Sequence, residues 1–150
     1  MEIKKLGNIY LSALTEVVST TTGIHLHVKS QESDSSFGEI IGVMSLDGQK
    51  NGMLFVSAKI SDVRILCSGM IGVPLAEVSN DDLDDTICEL VNMTAGSAKV
   101  RLSDTDYMFS LSQPFAIRGR DLSLAAKNQT EVVSGTLGNE EISVKLKALY

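Results

Sequence analysis

The chain has 150 residues, 43% hydrophobic and 21% charged, a composition that suits one folded domain over residues 1–150 and argues against disorder. Its 19 acidic and 13 basic residues leave a net charge of −6, which works against nucleic acid and anionic membrane as partners, because both are bound through Lys and Arg. No apolar run approaches the ~18 residues of a membrane span, no secretory signal opens "MEIKKLGNIY", and Cys67 and Cys88 read as buried reduced thiols, so the expected compartment is the cytoplasm.

Residues 2–22 read as a helix. Ile3, Leu6, Tyr10, Ala13 and Val17 recur at spacings of three and four, and Gly23 supplies the stop. "IHLHVKS" alternates Ile24, Leu26 and Val28 against His25, His27 and Lys29, the pattern of a half-exposed strand, and "SQESDSS" is a polar loop. Strands over 38–46 and 53–59 are joined by the turn-rich "DGQKNG". Their nearly unbroken apolar runs, "EIIGVMSL" and "MLFVSA", suit central strands covered on both faces. Ser61 is the expected cap of a short helix over 62–71, closed by Gly72 and Pro74. A long helix runs from Ser79 or Asn80 to about Ser103, with four aspartates near its start to complement the helix dipole. The last third reads as strands over 107–113, 115–118, 121–126, 130–137 and 141–149, with "GNEE" as the turn before the last.

The long helix has two faces. At about 100° per residue, Leu83, Ile87, Leu90, Val91, Thr94, Ala98 and Leu102 share an arc of about 120°, an ordinary core stripe. Asp85, Glu89, Asn92 and Gly96 form a narrower stripe pointing away from it. Asn and Gly are poor choices for an exposed helix interior, costing up to ~0.7 and ~1 kcal/mol against Ala. A glycine one turn beyond the asparagine gives clearance for another backbone. The carboxylate of Glu89 and the amide of Asn92 project side by side from the same patch. A Glu and an Asn three apart on a solvated face also occur by chance, so the pair alone leaves both readings open.

The spacing extends further: Asp85, then three residues, Glu89, two residues, Asn92, then twenty-one residues and Pro114. This D-x3-E-x2-N-x21-P pattern on an amphipathic helix resembles the signature of the CheC, CheX and FliY phosphatases of bacterial chemotaxis. CheC-like members carry the motif on both halves of a pseudo-symmetric fold. Here the first helix offers Glu16 followed by Ser19, so the single motif resembles the CheX branch. The resemblance implies a CheC-like α/β (α+β) fold: a large, mostly antiparallel sheet, two long helices packed on it and one short helix. It also implies a homodimer.

The substrate that the resemblance implies is the phosphorylated aspartate of a CheY-like response regulator. Phosphoryl transfer needs positioning and charge stabilisation above all, and the regulator supplies Mg²⁺ and a lysine, so the chain needs no cofactor or metal of its own. Asn92 would orient the attacking water, since an amide donates and accepts hydrogen bonds without repelling the phosphate. Glu89 would pair with the regulator's lysine. Gly96 would give clearance. Asp85 serves either the helix dipole or the shape of the site, and Pro114 fixes a bend near the motif helix as structural support. The alternative is a non-catalytic CheC-like module that binds a response regulator or flagellar switch component. A metal enzyme built on His25 and His27 lacks a third ligand, and Arg118 and Arg120 read as a solvated turn.

Overall fold

The computed structural model describes residues 1–150. Helix α1 spans Ile3–Thr22, and Gly23 ends it as expected: at φ 75° it adopts the left-handed conformation and its N–H donates to the Ser19 carbonyl. Its buried face carries Leu6, Tyr10, Leu14 and Val18, whereas Ile3, in the first turn, is exposed. Strand β1 is short, His27–Ser30, and the expected alternation fails in it. Leu26 is buried just before the strand, but Val28 is exposed, because β1 is the outermost strand of the sheet and pairs only with β6 (Glu131–Gly138).

Strands β2 (Ile40–Gly48) and β3 (Gly52–Ala58) form a hairpin in the middle of the sheet. Helix α2 follows at Ile60–Ile71, two residues earlier than the sequence suggests. Ser61 lies inside its first turn and does not cap it. The N–H of Ile60 instead donates to the Glu39 carboxylate, a group twenty-one residues upstream that no local pattern reveals. A 3₁₀ turn at Leu75–Glu77 leads into helix α3, Asn80–Leu102. Ser79 and Asp82 close a reciprocal capping box at its start, and Lys99 and Arg101 lie in its last turn, so both ends complement the dipole.

The chain then runs through β4 (Phe109–Leu111), β5 (Phe115–Arg118), β6 and β7 (Ser143–Leu149). The seven strands form one sheet in the order β1-β6-β7-β3-β2, with β4 and β5 both lying against β2, and every pairing is antiparallel. The fold is thus mixed α+β, a large antiparallel sheet with α1 and α3 packed on it and the shorter α2 packed against both helices. Helix α1 packs over β6 and β7, α3 over β2 and β3, and α1 and α3 lie against each other.

The main core lies between sheet and helices, with Ile40, Met44, Leu54, Val56 and Leu146 facing Leu14, Leu83, Ile87 and Leu90. The other face of the sheet is covered too, as the apolar runs of β2 and β3 require. Ile41, Val43, Phe55 and Leu149 form a second small cluster under Phe37, Leu122 and Leu124. The strand expected over 121–126 is absent. Leu122 and Leu124 alternate as a strand would, but they lie across the outside of the sheet, bonded only to the 35–37 segment. That segment also covers Lys147, only 5% exposed, whose ammonium reaches the Asp34 carbonyl and lies 3.7 Å from the Glu131 carboxylate.

Two close approaches fix the helices on the sheet. A Cβ at Gly7 of α1 would stand 2.7 Å from the Val132 carbonyl oxygen on β6. A Cβ at Gly42 of β2 would stand 2.6 Å from the Ile87 carbonyl oxygen of α3. Glycine is needed in both places because the opposing atoms are backbone and cannot yield.

Candidate functional site

Helix α3 is held on three sides. Its inner face is fully buried at Leu83, Ile87, Leu90, Val91, Ala95, Ala98 and Leu102, and each large apolar side chain so buried contributes about 1.5–3 kcal/mol. Beneath it, Gly42 lets the sheet come close at Ile87. Beside it, the Arg118 guanidinium of β5 forks onto the Asp84 carboxylate at 2.8 and 2.6 Å and also donates to the Asn80 carbonyl. The guanidinium lowers the Asp84 carboxyl below its ordinary range, burial opposing the shift only in part, and Arg118 is raised in turn. Arg118 is therefore not a residue of a solvated turn: it ties the edge of the sheet to the first turns of α3. At the far end, Arg101 pairs with Glu16 of α1 at 2.7 Å.

On this fixed helix, Asp85 and Glu89 are exposed, and Asn92 and Gly96 are half-buried, all facing outward. The side-chain bonds of α3 run through Ser79, Asp82, Asp84, Arg101 and Ser103. Asp85, Glu89 and Asn92 take no part in them. Glu89 is likewise outside every ion pair, which join Arg101 to Glu16, Arg118 to Asp84, Lys145 to Asp34 and Lys147 to Glu131. A rigid element thus presents a carboxylate and an amide whose hydrogen-bonding capacity is unspent. At Gly96 a Cβ would meet nothing within 4 Å, so no atom of the chain requires a glycine there.

The structure brings Asp85, Glu89, Asn92 and Gly96 onto one stripe. Pro114 is not on the helix but in the break between β4 and β5, two strands that both contact α3. Leu46 pairs with Leu111 and Val43 with Phe115, so four steps on the edge oppose three on β2, a one-residue bulge. Proline, with no N–H to donate, fits such a break at a sheet edge. The Ser112 hydroxyl donates to the Ser45 carbonyl left free there.

Cys88, expected to be buried, is only half-buried beside Glu89, and its thiol is pushed up by partial burial and by Asp84 and Asp85. His25 and His27 gather no further ligands, and no three His, Cys, Asp or Glu side chains converge to hold a metal ion. No helix is long and apolar enough to cross a membrane. Two supports of the site escaped sequence reasoning. The Asp84–Arg118 pair spans thirty-four residues and left no local signal. Gly42 did leave one, as a lone glycine inside the apolar run "EIIGVMSL".

Residues 40–137 match the family model described as "Chemotaxis phosphatase CheX", a span that includes Asp85, Glu89, Asn92, Gly96 and Pro114. No curated protein sequence gives a significant match. Among solved structures, the chain is similar to a CheC-like superfamily protein from Shewanella sp. PV-4, with a TM-score of 0.84 and 21% identity over 99% of this chain and 98% of that one. The chemotaxis protein CheX from Vibrio vulnificus gives a TM-score of 0.83 at 15% identity, covering 96% of this chain and 97% of that one. A CheX–CheY–BeF3–Mg²⁺ complex from Borrelia burgdorferi gives 0.74 at 13% identity, covering 95% and 94%. At such identities these similarities concern the fold.

Proposed function

The chain belongs to the CheX family of chemotaxis phosphatases, and from that premise we propose that it hydrolyses the aspartyl-phosphate of a CheY-like response regulator in the cytoplasm. The observation that carries this reading is the unspent pair, Glu89 and Asn92, on the outward stripe of a helix whose other sides are fixed by core, sheet and ion pairs. A surface that only had to stay soluble would gain nothing from an asparagine and a glycine in mid-helix.

The Asn92 amide enters beside the phosphate and holds a water in line with the bond to be broken, donating and accepting without adding negative charge. Glu89 pairs with a lysine of the regulator and anchors the insertion. Mg²⁺ belongs to the regulator, where it offsets the charge of the phosphoryl oxygens. Glu89 is a docking group here and not a base, since a carboxylate placed against the phosphate would be repelled. Asp85 adjoins this patch at the N-terminal end, and the bulge at Pro114 shapes the neighbouring edge.

The chain acts as a homodimer joined along the β4–β5 edge. Phe115 is 51% and Ile117 42% exposed there, on an outer strand whose free backbone groups suit pairing with a second copy. Light scattering checks this: a monomer at micromolar concentration would contradict it.

The activity is tested by following labelled aspartyl-phosphate on a panel of CheY-like regulators with Mg²⁺ present. The protein, at a fraction of the regulator concentration, accelerates loss of label from at least one of them. Label that decays at the spontaneous rate throughout the panel would overturn the reading.

A further inference from the structure

Beyond Gly96 the outward stripe of α3 reaches a residue that neither the motif nor the chemistry explains. Val100 is 76% exposed, the most exposed large apolar side chain of the molecule; none of the others exceeds 51%. Its neighbours Lys99 and Arg101 are the polar residues expected of a helix surface, and Arg101 is engaged with Glu16. Valine at an exposed helix position loses side-chain freedom against the preceding turn and gains no burial within the chain.

A single exposed apolar residue is ordinary. Val100, however, is not randomly placed. With Glu89 taken as zero, at about 100° per residue, Val100 lies about 20° to one side, Gly96 about 20° to the other, and Met93 about 40° away on the side of Val100. Met93 is half-buried, its inner part packed against the core. Met93, Gly96 and Val100 therefore make an apolar strip at i, i+3 and i+7, the spacing with which a helix face seats in a partner's groove. The strip is continuous with Glu89 and Asn92 and is open at Gly96, where nothing in the chain lies within 4 Å of a Cβ.

We propose that Val100, with Met93 and the open strip at Gly96, is the specificity-determining part of the docking surface: it packs on an apolar patch of the receiver, eight residues and about 12 Å along the helix from Asn92. This rests on the reading that Glu89 and Asn92 engage a phosphorylated receiver. The two ends of the stripe then divide the work. The polar end meets groups that every phosphorylated receiver must have, the aspartyl-phosphate and its lysine. The apolar end meets a surface that differs from one receiver to another, so it selects the partner without touching the reacting atoms.

The test uses Val100→Gln, which puts a better helix former at an exposed position, and Val100→Ala, beside the wild type and Asn92→Ala. Steady-state hydrolysis is measured on the regulator for which the wild type is most active. Binding is measured to that regulator charged with beryllofluoride and Mg²⁺, and light scattering gives the oligomeric state of each protein. For Val100→Gln we expect KM and Kd to rise roughly ten-fold, kcat to stay within two-fold and the oligomeric state to be unchanged. Val100→Ala falls between the two, and Asn92→Ala loses kcat while keeping its Kd. An unchanged KM and Kd in Val100→Gln would overturn the proposal while leaving the phosphatase reading intact. Weaker binding that accompanies a change in oligomeric state would overturn it as well, by making a second copy the occupant of the strip. A wild type inactive on every regulator would remove the phosphatase reading and this inference with it.

Discussion

Gly96→Ala separates what the chain needs from what its partner needs. Within the chain an alanine Cβ at this position meets nothing within 4 Å, so the substitution creates no clash. It removes a glycine from the interior of a 23-residue helix, which is worth about 1 kcal/mol in stability. For a chain of this length that raises Tm by roughly 2–4 °C. Against a docked partner the same methyl fills the clearance between two backbones, and overpacking of that kind costs about 1–3 kcal/mol. The Kd for a beryllofluoride-charged regulator should rise at least about five-fold. The assay pairs a thermal melt of the isolated protein with a binding titration on the same preparation, and the expected result is opposite signs: more stable, weaker binding. A lower Tm would mean that the glycine serves the helix itself. A higher Tm with unchanged Kd would mean that no backbone comes close at Gly96, and the clearance role would be wrong.

The other predictions concern how the helix is held. Gly42→Ala places a methyl 2.6 Å from the Ile87 carbonyl oxygen, so it should destabilise the fold by about 1–3 kcal/mol and lower phosphatase activity together, measured by denaturant unfolding and by label release. Asp84→Asn removes the partner of Arg118. Because the Asp84 carboxyl is depressed in the folded state, the stability it brings is present above the ordinary carboxylate pKa and is lost as pH falls through the depressed value. The Tm difference between wild type and Asp84→Asn should therefore be present at pH 7 and close in strong acid; a difference independent of pH would rule out the ion pair as its source. Phe115→Lys on the sheet edge should shift the protein towards monomer in light scattering while leaving α3 folded by circular dichroism.

The helices were legible in the sequence because their signals are local. The three-and-four spacing of α1 and its stop at Gly23 lie within one helix, and the acidic start near Ser79 or Asn80 and the two faces of α3 lie within another. The outward stripe could be read for the same reason: periodicity alone puts Asp85, Glu89, Asn92 and Gly96 together. What was not legible depends on distant partners. Glu39 takes over the start of α2 from Ser61, and Arg118 finds Asp84 across thirty-four residues. Leu122 and Leu124 alternate like a strand, yet the 35–37 segment, and not the sheet, is what they bond to. Val28 continues the apolar spacing of Ile24 and Leu26 in the sequence but sits on an outermost strand, where it is left 45% exposed.

The central claim is that one amide on a rigid helix does the positioning, and Asn92→Ala tests it most directly. Removing the amide leaves Glu89, the core face of α3 and the Arg118 fork in place. The variant should therefore keep its fold and its affinity for a charged regulator while its acceleration of aspartyl-phosphate hydrolysis falls to near the spontaneous rate. An Asn92→Ala protein that still stimulates hydrolysis as fully as the wild type would contradict the account.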